Sequence, residues 1–148
     1  MPLQKDLDRT YIHMARVWSS LSRAKRKKVG CLIVKNGAII SDGYNGTPSG
    51  FDNNCEEYET WPQDPQLPTI PLKTKPEVLH AESNAITKLA KSTQSSSGAT
   101  MYITISPCID CAKLIVQSGI SRIVYKEFYR SGEGINFLNR ANLEVVKI

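Results

Sequence analysis

Two short motifs constrain this chain more than anything else in it: His80-Ala81-Glu82 and, 25 residues after Glu82, Pro107-Cys108-Ile109-Asp110-Cys111. Each opens a segment whose apolar spacing predicts a helix. An imidazole nitrogen and two thiolates three residues apart suit one tetrahedral zinc ion, so the fold has to bring two helix starts to a single point. Three protein ligands leave a fourth position open. A zinc ion there can hold water and lower its pKa toward neutrality, which suits hydrolysis better than a structural role. Helix starts also present free amides and a positive dipole end, which favour thiolate at Cys108 and Cys111. Glu82, two residues beyond the histidine, can reach such a water without ligating and can carry its protons. Taken singly, each motif has a plainer reading. A CxxC pair can be a redox pair or half of a structural zinc site, and a histidine at a helix start can be a cap.

The segments around the motifs predict a mixed sheet. Leu7, Tyr11, Met14, Ala15, Val17, Trp18 and Leu21 recur at helical spacing, and the stripe is read as core. VGCLIVK and AIISDGY flank Asn36-Gly37, a strong hairpin pair, so residues 29–44 are read as two antiparallel strands. A helix is expected from His80 to about Lys91, and then ATMYITI as a strand. Pro107 suits the first turn of a helix through Val116 that Gly119 can end, and SRIVY gives another strand. A short helix over Ile135 to Arg140 and a strand over Leu143 to Ile148 close the chain, giving five strands with helices on their faces in one domain, 1–148. Residues 45–79 hold six prolines between 48 and 76 and read as a long, largely irregular loop, a candidate lid.

Composition limits the partners. No apolar run approaches the roughly 20 residues that cross a bilayer, and MPLQKDLDRTYIHMARVW mixes acids with bases, unlike a signal or transit peptide. A cytoplasmic location is therefore expected (host cytoplasm if viral), with no membrane partner, and in that reducing setting the CxxC pair points to metal or redox chemistry over a structural disulfide. The net charge of +5 favours anionic ligands, and the run Arg23 to Lys28 supplies five of the bases. A solvated basic face is the bland reading of that run.

Together HAE and PCxxC match the signature of zinc nucleobase deaminases. With KKVGCLIVKNG, GYNGTPSGFDNNC, HAESNAI and SPCIDCAKLIVQSGISRIVY in order, the chain resembles the cytidine and deoxycytidylate deaminase family, within it the dCMP deaminases that include phage members. The resemblance implies a three-layer α/β/α sandwich around the mixed five-stranded sheet. It implies one catalytic zinc on His80, Cys108 and Cys111, Glu82 as proton carrier, and hydrolysis of dCMP to dUMP and ammonia for thymidylate synthesis. It further implies a homohexamer activated by dCTP and inhibited by dTTP, with Mg2+ accompanying the triphosphate.

By the same resemblance Asn45 meets the sugar, although an asparagine between tyrosine and glycine also suits a left-handed turn. Arg26 meets the 5′-phosphate, Ala81 and Ser106 line the substrate, and Tyr125 and Tyr129 shape the cytosine pocket, with core packing the rival for Tyr125. Tyr44, Gly46, Lys28 and Asn54 fall in the implied effector region. Relatives with a second, structural zinc carry further ligands before the HAE histidine; here Val78 and Leu79 stand there and Cys55 alone survives in NNC, so no second zinc is expected. Cys31 reads as a small buried hydrophobe. Two other functions compete. A tRNA adenosine or polynucleotide cytosine deaminase shares the zinc chemistry, but GYNGTPSG and the Pro-rich loop resemble the nucleotide enzymes, for which no nucleic-acid partner is expected. A non-catalytic zinc module binding nucleic acid through RAKRKK would have no use for Glu82.

Overall fold

The computed structural model describes residues 1–58 and 71–148; the tip of the long loop, 59–70, lies outside the described residues. Helix α1 (Gln4–Ser19) leads into the hairpin β1 (Gly30–Lys35) and β2 (Ala38–Tyr44), whose turn residues Asn36 and Gly37 both take positive φ, 51° and 76°. That pair of left-handed residues matches the twist of the flanking strands. The 45–79 segment, expected to be irregular, contains a small antiparallel pair, β3 (Glu56–Tyr58) with β4 (Leu72–Thr74). Then follow α2 (Ala81–Leu89), β5 (Thr100–Ile105), α3 (Ile109–Gln117), β6 (Arg122–Glu127), α4 (Glu133–Arg140) and β7 (Glu144–Lys147). Helix α3 starts two residues after Pro107, with Cys108 as its N-cap.

The main sheet has the order β2-β1-β5-β6-β7. β1 is antiparallel to both β2 and β5, whereas β5, β6 and β7 run parallel, as a strand-helix-strand connection requires. The two-residue period of the strands sorts their side chains into two cores. Cys31, Ile33, Met101, Ile103, Ile123 and Tyr125 face α2, α3 and α4. Leu32, Val34, Tyr102 and Val124 face α1. The result is the expected three-layer α/β/α sandwich, and Cys31 is fully buried as a small apolar residue.

Helix α1 departs from its sequence reading. Its buried residues are Asp8, Ile12 and Ala15, while Met14, Val17, Trp18 and Leu21 of the apolar stripe stay exposed at 40, 58, 36 and 47%. Electrostatics explains the rotation. The Asp8 carboxylate accepts two hydrogen bonds from Arg122, at 2.8 and 2.7 Å, one from the Tyr102 hydroxyl at 2.8 Å and one from Gln4 at 2.9 Å. A buried charge requires such partners, and holding Asp8 against the sheet turns part of the stripe outward.

Two close approaches position the functional helices. A Cβ on Gly43 of β2 would lie 2.4 Å from the Ala81 carbonyl, and one on Gly134 would lie 2.0 Å from the Pro107 carbonyl. Only glycine lets α2 sit on β2 and α4 sit on the start of α3 at these distances.

Candidate metal centre and substrate cleft

The two motifs converge because β5 carries the chain to the start of α3, beside the start of α2. His80 and Cys108 are the N-caps of these helices, in extended backbone conformation, and neither side chain makes a capping hydrogen bond. The imidazole is therefore spared for another partner. His80 Nδ1 lies 3.2 Å from Cys111 Sγ and 3.6 Å from Cys108 Sγ, and one ligand atom from each of the three residues lies within 4.8 Å of the others. A tetrahedron with Zn–N near 2.0 Å and Zn–S near 2.3 Å separates nitrogen from sulfur by roughly 3.6 Å, so the donor set fits zinc in type and spacing. His80 stands exposed at the rim, Cys108 is half-buried and Cys111 is buried.

The protonation of the cluster agrees with metal binding. Hydrogen bonds from Cys111 and then His80 pull the Cys108 thiol down to about 4. The same contact with Cys108, followed by burial, pushes Cys111 up. His80 is raised, chiefly by Cys108 and against its own burial. Two thiols and an imidazole thus share protons that a bound cation would displace. Glu82 is 4% exposed, and burial raises its carboxyl above the usual range, with its own backbone N–H and His80 opposing. A carboxyl whose proton affinity is raised by burial suits a proton carrier.

These residues border a cleft of about 440 Å³, within the range of small-molecule sites. Arg26, Asn45, Ala81, Ser106 and Tyr129 all line it, together with His80, Glu82 and Cys108. Asn45 does not use a left-handed turn; its side-chain oxygen accepts from Val29 N–H at 2.8 Å and its amide donates to the Lys27 carbonyl at 2.8 Å. It thus clamps the basic loop to the cleft. Ser106 is buried, and its oxygen accepts from the Tyr129 backbone N–H at 2.6 Å, which sets the position of Tyr129.

Two outcomes differ from expectation. Tyr125, read as a pocket residue, packs into the core on the α2–α3 side of β6 and does not border the cleft; the strand period puts it in line with Ile123. In the implied effector region a Cβ on Gly46 would lie 4.0 Å from the Tyr44 ring. Lys28 borders a separate basic cavity, Tyr44 meets Trp18 edge-on at 6.5 Å, Gly46 bridges to Leu79, and Asn54 closes an Asx turn with Asp52. Sequence reasoning also missed Arg130, which borders the cleft with its guanidinium 5.6 Å from the Tyr129 ring. The adjacent Tyr129-Arg130 pair was its only signal.

Comparison with known proteins agrees with this geometry. The family model for the cytidine and deoxycytidylate deaminase zinc-binding region matches residues 5–127. The chain is 37% identical over 171 residues to the deoxycytidylate deaminase of Enterobacteria phage T2, with 94% of this chain and 90% of that protein covered. It is 34% identical over 133 residues to the deoxycytidylate deaminase of Saccharomyces cerevisiae, with 85% and 39% covered. Among solved structures, the dCMP deaminase of cyanophage S-TIM5 in complex with dCMP and dUMP superposes with a TM-score of 0.87 at 40% identity, covering 99% of this chain and 100% of that one.

Proposed function

The chain belongs to the cytidine and deoxycytidylate deaminase family, and on that premise we propose that it hydrolyses dCMP to dUMP and ammonia. The observation that carries the reading is the convergence of His80, Cys108 and Cys111 beside buried Glu82, in a nucleotide-sized cleft that also holds Arg26 and Arg130. His80 Nδ1 and the sulfurs of Cys108 and Cys111 would hold zinc, which when bound would supply the Lewis acidity that makes water nucleophilic at neutral pH.

The chain's own residues do the rest. Glu82 accepts a first proton from the attacking water and delivers it to ring N3, then takes the second from the hydroxyl added at C4 and delivers it to the amino group, which leaves as ammonia. Its burial raises the carboxyl's affinity for the first of these protons. Arg26 and Arg130 bind the 5′-phosphate, for which guanidinium forks are suited. Asn45 meets the deoxyribose hydroxyl from its clamped position, and Tyr129 covers the base while Ser106 holds it there. Ala81, with no room for a larger side chain, forms part of the cleft wall.

The reading extends to a homohexamer in the cytoplasm, activated by dCTP and inhibited by dTTP with Mg2+ accompanying the triphosphate, and its support is the likeness to dCMP deaminases. Ultraviolet assay of zinc-loaded protein on dCMP, dCTP, deoxycytidine and cytidine tests it. Selective turnover of dCMP, altered by dCTP and dTTP, is the expected result, while turnover of unphosphorylated substrates at equal efficiency would remove the phosphate role from Arg26 and Arg130.

A further inference from the structure

A carboxylate borders the cleft proposed to take a phosphate. Glu56, the first residue of β3, lines it together with Arg26 and Arg130, and by charge alone it would oppose an anion there. Its hydrogen bonds point to a different role. One oxygen, Oε1, accepts from two consecutive backbone amides, Lys25 N–H at 2.8 Å and Arg26 N–H at 3.1 Å. Residues 20–29 join α1 to β1 without helix or strand, so the backbone around Arg26 depends on partners that reach it from elsewhere in the chain. Asn45 holds one side of it, at Lys27 and Val29. Glu56 holds the Arg26 peptide itself.

Glu56 is in turn anchored. It pairs with Thr74 in the β3–β4 register, the adjoining Cys55 is buried, and the Cys55 carbonyl accepts from Lys75 N–H at 2.8 Å. At the root of the same loop Gly46 and Leu79 exchange two backbone hydrogen bonds, at 3.1 and 2.8 Å, and Leu79 is the residue before His80. One loop is thereby tied both next to the metal-site histidine and at the Arg26 peptide.

We propose that Glu56 is a positioning residue for dCMP: by holding the Lys25 and Arg26 amides it sets the Arg26 guanidinium against the 5′-phosphate. The inference rests on the proposed hold of Arg26 on that phosphate. An ionised acceptor makes stronger hydrogen bonds to amides than a neutral one, and a loop ordered before the substrate arrives spares binding the entropy of ordering it. The two roles open to a carboxylate in this place have opposite signs. Removing a repelling charge lets phosphate bind more tightly, whereas removing a positioning acceptor weakens its binding.

The test measures dCMP kinetics and dUMP affinity, the latter by calorimetry, on zinc-loaded parent, Glu56→Ala, Glu56→Gln, Arg26→Ala and the Glu56→Ala, Arg26→Ala double variant. Glu56→Ala is expected to raise KM for dCMP and Kd for dUMP by about tenfold, with kcat within about threefold of the parent. Glu56→Gln keeps an acceptor oxygen and should recover most of the loss. Because Glu56 acts through Arg26, Glu56→Ala should shift dUMP affinity by less than about twofold once Arg26 is alanine; a merely structural role would cost the same in both backgrounds. Tighter or unchanged dUMP binding in Glu56→Ala, a Gln variant as impaired as the Ala variant, or equal effects in the two backgrounds would overturn the proposal. A parent that binds dUMP with the expected pattern yet does not turn over dCMP would overturn the deaminase reading and leave the positioning role standing. A parent that turns over dCMP with a KM insensitive to Glu56→Ala would do the reverse.

Discussion

In the proposed reaction Glu82 carries the protons, and that role is separable from metal binding. Glu82→Gln keeps the size of the side chain and does not touch the ligand set, so zinc content should stay at the parent level while kcat falls by about 10²- to 10⁴-fold. Metal analysis beside steady-state kinetics checks both halves. Arg26→Ala and Arg130→Ala make a second pair. If the guanidinium groups hold the phosphate, each should raise KM for dCMP by about 10-fold or more and change the weak turnover of deoxycytidine little. The candidate metal cluster and the buried Glu82 beside it were legible in the sequence because each motif is a short spacing at the start of its own helix. Arg130 was not, since it reaches the cleft only through the crossover that lays β6 beside β5, and Asp8 was hidden because a carboxylate on a helix ordinarily marks the solvent face.

At the level of elements, α1 is held to the sheet by a charge cluster rather than by its whole apolar stripe. Arg122 holds the Asp8 carboxyl down at about 2, against its burial. A group depressed in the folded state contributes stability that is fully present above its unfolded pKa near 4 and is lost as pH falls through the folded value. The contribution is on the order of 2 kcal/mol, so urea denaturation should show it shrinking between pH about 4 and 2. In Asp8→Asn that part of the acid sensitivity should be absent, with lower stability at pH 7. The hairpin and the helix starts were visible because Asn36-Gly37 and the caps act locally. β3 and β4 were not, because three-residue strands in a proline-rich loop exist only by pairing with each other. Tyr125 could have been read correctly from the period that aligns it with Ile123.

For the whole molecule, a candidate zinc cleft opens where α2 and α3 begin and a basic cavity lies along α1, with Lys27 bordering both. Met14, Val17, Trp18 and Leu21 remain exposed, with Trp18 edge-on to Tyr44, and an uncovered apolar strip of this kind suits contact with another copy of the chain. Val17→Asp with Trp18→Glu should reduce the assembled mass seen by light scattering if that strip is an assembly surface. The central claim is that this fold brings a zinc ion and Glu82 to the amino group of dCMP. The most direct measurement is conversion of dCMP to dUMP by protein of known zinc content, run beside the chelator-stripped and Glu82→Gln forms. The account predicts turnover proportional to zinc, lost on stripping, restored by zinc and absent in zinc-replete Glu82→Gln. Full activity in either the stripped protein or the Glu82→Gln form would contradict it.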